Sequence, residues 1–143
     1  MLLRDLLIET LMTRFPQHGF QPGTLTGEVG QFPAAHPAVG EVRIEATGTE
    51  ATVFVGDLTH GHFGGFDSAL QTDQVARSIV AEVAEFFEAL FADQVLLWSS
   101  ADGRSGGWQV PFTGRMPNDL APGAKTFVWS GPMPGSPHAS SAG

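Results

Sequence analysis

Residues 41–58 run Glu41-Val42-Arg43-Ile44-Glu45-Ala46-Thr47-Gly48-Thr49-Glu50-Ala51-Thr52-Val53-Phe54-Val55-Gly56-Asp57-Leu58. Polar and apolar side chains alternate through the first seven positions, as they must on a strand with one wet face and one buried face. Val42, Ile44 and Ala46 then point inward. Gly48-Thr49-Glu50 supplies the turn, and Ala51 to Leu58, rich in valine and phenylalanine, returns as the second strand of a hairpin.

Working outward, a helix is expected on each side. Upstream, Leu3, Leu7 and Leu11 share one stripe, which Leu6, Ile8, Met12 and Phe15 widen, so this helix is read as well buried before Pro16 and Gly19 stop it. Residues 21–38 are rich in Gly and Pro and read as loop, with a short strand within 24–32. Downstream, Val75, Ile79, Val83, Phe86, Phe87, Leu90 and Phe91 form a continuous apolar stripe on a helix that Thr72 or Asp73 can cap. Glu82, Glu85 and Glu88 lie on its opposite, solvated side.

A second hairpin follows, with Val95 to Ser99 and Trp108 to Phe112 joined by the turn Asp102-Gly103-Arg104-Ser105-Gly106-Gly107. Pro111 lacks an amide hydrogen, which places the second of these strands at an edge or a bulge. Lys125 to Trp129 reads as a last strand. The order helix, hairpin, helix, hairpin predicts an α+β fold, with two helices on one face of an antiparallel sheet of four to five strands. The expected organisation is a single domain over residues 1–130, followed by a Pro/Gly/Ser-rich tail over 131–143.

Composition narrows the function. The 143-residue chain carries a net charge of −8, and residues 41–93 account for all of it, with ten acids against Arg43 and Arg77. Such a centre repels phosphate, which argues against nucleic acid and allows a basic protein as partner. No cysteine is present, so there is no disulfide framework, no thiolate nucleophile and no zinc-thiolate site. The N-terminal apolar run is broken by Asp5 and Glu9, and no stretch approaches the roughly 18 to 20 apolar residues of a membrane span. The expected location is the cytoplasm, with no membrane contact.

The segment His60-Gly61-His62-Phe63-Gly64-Gly65-Phe66-Asp67 is the most unusual in the chain and is read as an irregular, glycine-rich loop. Histidines two apart on extended chain project to one side, where both imidazoles can reach one ion. Asp57 and Asp67 are the nearest further donors, and His18 or His36 would have to arrive from the first loop. The competing role is mechanical, with both imidazoles bonding backbone groups while Phe63 and Phe66 pin the loop to the core.

Gly103-Arg104-Ser105-Gly106-Gly107 matches the spacing of a nucleophile elbow, and Asp119 and His138 follow in the required order. The elbow needs a helix directly after its serine, whereas Trp108 to Phe112 reads as a strand, so a serine hydrolase is rejected. No coherent set of nucleophile, base and electrophile emerges.

The leading expectation is a small, acidic, non-enzymatic protein-binding domain, adaptor or chaperone-like, with no cofactor. Its expected binding surface is Phe63, Phe66, Trp108, Phe112 and Trp129, with self-association into a homodimer through strand edges or an apolar face. The alternative is a metal-binding protein or metal-dependent hydrolase that holds a divalent ion such as zinc with His60, His62, Asp57 and Asp67.

Overall fold

The computed structural model describes residues 3–47, 50–64 and 73–133. Helix α1 (Leu3–Arg14) and a single 3-10 turn (Pro16–His18) lead into a meander of five strands: β1 (Gln21–Pro22), β2 (Glu28–Phe32), β3 (Val42–Ala46), β4 (Glu50–Val55) and β5 (Thr59–Gly64). Helix α2 (Asp73–Phe91) follows, then β6 (Leu96–Ser99), β7 (Gly106–Gln109), β8 (Lys125–Val128) and β9 (Gly131–Pro132). The class is α+β, as the sequence predicts.

The 41–58 hairpin forms in the register that its alternation demands, with Val42 opposite Val55, Ile44 opposite Val53 and Ala46 opposite Ala51. All six are buried. The strands form two antiparallel sheets, in the orders β1-β2-β3-β4-β5 and β7-β6-β8-β9, instead of the single sheet expected. Among the described residues the C-terminal strands pair only with one another, and β9 lies at Gly131–Pro132. Residues 134–143 lie outside the described residues.

Both helices pack on the inner face of the five-stranded sheet. Helix α1 buries Leu3, Leu7 and Leu11, while Met12 is 49% exposed, so its buried stripe is narrower than the sequence suggests. Helix α2 buries Ile79, Val80, Val83, Ala84, Phe86, Phe87 and Leu90. Its phenylalanines bridge the two sheets. Phe87 meets Phe15 and Phe32 from the N-terminal half, and Phe86 lies 4.4 Å, centroid to centroid, from Trp108 of the second sheet. Edge-to-face and tilted contacts of this kind add about 0.5–1.5 kcal/mol per pair beyond the area buried.

The second sheet has a core on each side. Leu97 and Phe127 join the main core, whereas Leu96 and Val128 turn away from it to meet Phe112. This is the period of two expressed through the sheet. The Phe112 amide, anchored to the Gln94 carbonyl at 2.7 Å, holds the 110–124 segment across that outer face.

Candidate functional site

His60-Gly61-His62 is a strand, not a loop, and this corrects the sequence reading. β5 pairs along its whole length with β4, with Phe54 opposite His60, Val53 opposite Gly61 and Thr52 opposite His62. The reason that a glycine-rich stretch can serve as strand lies elsewhere in the chain. Gly61 faces inward, where the Trp108 indole occupies the space that a side chain would fill, with the Cε2 atom 3.3 Å from an ideal Cβ position and the Cζ2 and Cη2 atoms nearer still. Glycine in a strand commonly marks this kind of close approach. The flanking histidines are thereby turned outward, and both are exposed.

That outer face carries two cross-strand rows. One runs Gln21, Gln31, Arg43, Phe54, His60 across all five strands. The other runs Glu28, Glu45, Thr52, His62 across four. The face is therefore split by charge. In the acidic row, His62 Nδ1 lies 2.7 Å from Glu50 Oε1 and 3.0 Å from Thr52 Oγ1. In the other, the Arg43 guanidinium sits 4.8 Å above the Phe54 ring, and Phe54 in turn lies 5.5 Å from the His60 ring. Stacking on an aromatic face fixes a guanidinium's plane while leaving its N–H donors available. No hydrogen bond or ion pair engages the Arg43 side chain among the described residues.

The Gln-Arg-Phe-His row ends in a hollow of about 470 Å³, lined by Arg43, Phe54, Asp57, His60, Arg104 and Ser105 together with the glycines of two turns. One wall is the β4–β5 turn. Gly56 takes φ +51° there, and its amide donates to the Glu41 carbonyl at 2.7 Å. An added Cβ would strike the Val39 carbonyl, so the position needs glycine twice over. The other wall is the β6–β7 turn, whose Gly106 abuts the Leu58 carbonyl.

Asp102 organises that second turn. Its carboxylate accepts from Ser100 Oγ at 2.6 Å and from the Arg104 amide at 3.0 Å. These two bonds, the Ser100 hydroxyl above all, hold its carboxyl below the usual carboxylate range. Arg104 is thus presented from an ordered turn, with a guanidinium that has no partner among the described residues. Two guanidiniums against the lone carboxylate of Asp57 make the hollow locally cationic on an acidic chain.

The expected site residues are dispersed differently. Phe112 and Trp129 are each 5% exposed and belong to the core, which corrects their reading as binding surface. Phe112 packs with Leu96 and Val128, and Trp129 meets Phe91 at 5.4 Å. Phe63 and Trp108 are half-buried against Phe86, at 5.7 and 4.4 Å. Burying these rings removes far more apolar area from water than a groove would. Phe66 and Asp67 lie outside the described residues.

Of the expected metal ligands, His60 and Asp57 line the hollow, and His62 stands beside His60 with ring centroids 5.3 Å apart. Neither of the other two histidines weighed as donors is near. His18 stacks on Phe91 at 3.9 Å, and the His36 ring lies against Gly131. Among the described residues no group of three or more His, Asp or Glu side chains is placed to hold a metal ion. Ser105 shares the hollow with His60 and Asp57, yet no hydrogen bond joins the three, so the relay that would activate a hydroxyl is not assembled. Strand β7, not a helix, begins directly after Ser105.

Arg43 and Arg104 are the functional candidates that the sequence reading passes over. The signal for Arg43 was present, because the hairpin register places it opposite Phe54. Comparison with protein-family models, with curated proteins and with solved structures finds no match for this chain. No helix among the described residues is long and apolar enough to cross a membrane.

Proposed function

We propose that the chain is a non-enzymatic binding protein, adaptor or chaperone-like, which engages another protein through the outer face of the five-stranded sheet, with the hollow at its β5 end accepting a carboxylate of the partner. One observation carries the reading: two guanidiniums, free of ion pairs among the described residues, converge with Phe54 and His60 on one hollow of a chain whose net charge is −8. A guanidinium left without a carboxylate on so acidic a chain is a group held available, since arginine's planar fork matches a carboxylate with two parallel hydrogen bonds.

The charge split sets the partner's character. Net acidity steers a basic protein toward this surface over distances of about one Debye length, while an acidic side chain or C-terminus of that protein fixes the register by entering the hollow. Glu45, on the neighbouring row, and Glu50, beside His62 of that row, meet its basic groups. Recognition of this kind lives in on-rate and specificity more than in buried apolar area, in keeping with two cross-strand rows in which Phe54 is the one large apolar group among the described residues.

The test is affinity capture with the wild-type chain beside an Arg43→Glu/Arg104→Glu variant of equal thermal stability. A partner that the wild type retains at low salt, releases with rising salt and that the variant fails to retain supports the reading. Capture of the same protein by both chains at the same salt overturns it.

A further inference from the structure

We propose that His60 and His62 form a surface site for one divalent transition-metal ion of the zinc type, with the two imidazoles as its protein ligands, water in the remaining positions and Glu50 as the positioning residue. The site goes beyond the binding role proposed above and shares only His60 with the hollow.

The first support is geometric. Two imidazoles that ligate one tetrahedral ion at about 2.0–2.1 Å hold their ring centroids about 5 Å apart. The two rings stand 5.3 Å apart, at 85° to one another, on the same exposed side of β5. Their spacing on the chain is enforced from within, because Gly61 is held against Trp108 and the strand is paired to β4 on both sides of it.

The second support is the orientation of His62. Its Nδ1 is 2.7 Å from the Glu50 carboxylate, with the Thr52 hydroxyl at 3.0 Å. A carboxylate at that distance accepts a hydrogen bond from Nδ1–H and leaves the Nε2 lone pair free, which is the arrangement that orients histidine ligands in metal proteins. His60 has Phe54 beside its ring and no hydrogen-bond partner among the described residues, so either nitrogen is open to an ion. Two neutral imidazoles select zinc, nickel or copper over magnesium or calcium, which require oxygen donors. Binding exchanges two waters of the ion for two nitrogens.

Calorimetric titration of the full chain with zinc chloride, and in parallel with magnesium chloride, tests the site. The expected result is one zinc per chain and no magnesium, with affinity reduced at least tenfold by either His60→Ala or His62→Ala. Glu50→Ala is expected to lower affinity about tenfold and Glu50→Gln, whose amide oxygen still accepts from Nδ1, to recover part of it. Arg104→Ala removes a hollow side chain but no imidazole and leaves zinc binding in place, which separates this site from the binding role above.

Long-range 1H–15N spectra of the free chain should show His62 protonated at Nδ1, and zinc should shift the Nε2 resonance. Absence of saturable zinc binding overturns the proposal, as does binding that survives both histidine substitutions. Glu50→Ala and wild-type chains of equal affinity overturn the role of Glu50. Both histidines are solvent-exposed, so their alanine variants are expected to melt with the wild type, and circular dichroism verifies that the fold is retained.

Discussion

Replacing Gly61 by alanine puts a methyl group where the Trp108 indole already lies. The new Cβ would stand 3.3 Å from Cε2 and closer to two further ring carbons, inside the roughly 3.5–4.0 Å at which carbon atoms rest in contact. The indole cannot swing away freely, because Phe86 lies 4.4 Å from it and Phe63 stacks against it at 6.3 Å. Overpacking of this kind costs about 1–3 kcal/mol, and the gain from removing a flexible glycine from a strand returns about 0.5–1 kcal/mol. The net expectation is a loss of about 1–2 kcal/mol, or a fall in Tm of about 3–6 °C for a chain of this size.

Urea denaturation followed by circular dichroism measures this loss, and a Trp108→Leu background makes the measurement specific. With the indole gone, the same Gly61→Ala change should cost nothing or stabilise slightly, which gives a coupling of at least about 1 kcal/mol between the two positions. Equal costs in the two backgrounds would refute the claim that Trp108 is what requires glycine between the histidines.

Three further expectations follow from the packing and the titratable groups. Phe87→Ala, at a fully buried ring that meets Phe15, Phe32, Phe86 and Phe91, should cost about 3–5 kcal/mol in the same assay, whereas Met12→Ala, at 49% exposure, should stay within about 0.5 kcal/mol. Burial against Phe91 lowers the pKa of His18, so the unfolded chain takes up this proton more readily than the folded one. Stability should therefore fall as pH drops below histidine's ordinary value of about 6.5, and His18→Phe, which keeps the stack and removes the proton, should flatten that part of the curve; parallel curves would contradict it. Asp102→Ala, which deletes two of the hydrogen bonds that order the β6–β7 turn, should quicken amide hydrogen exchange across Gly103 to Gly106 and leave that of β3 and β4 unchanged.

What was legible in the sequence is what is decided locally. The alternation of 41–47 and the stripe of 75–91 are set by periods of two and 3.6, so the strand faces, the hairpin register and helix α2 could be read directly. The histidine segment was misread because its glycines act as breakers when considered alone. What makes Gly61 a strand residue is an indole from β7, a contact that no local pattern announces. The division into two sheets is likewise non-local, since nothing in 95–133 states that these strands decline to pair with β1–β5.

Aromatic residues were misplaced for a related reason. Phe112 reads as part of a strand at an edge or a bulge and Trp129 as part of a last strand, but the 110–124 segment folds over the outer face of the second sheet and buries the first, while Phe91 covers the second. Arg104 is legible only as a member of a glycine-rich turn, and the approach of Gly106 to Leu58 brings it to the same hollow as Arg43 and His60.

The central claim is that the hollow at the end of the Gln-Arg-Phe-His row recognises a carboxylate. Titration of the 15N-labelled chain with tri-glutamate, acetylated and amidated at its ends, beside the matching tri-glutamine, measures this most directly. Saturable shifts at Arg43, Phe54, His60 and Gly103 to Gly106 with the acid, and none with the amide, are the predicted result. Shifts of the same size with both peptides, or with the acid at other residues alone, would contradict it.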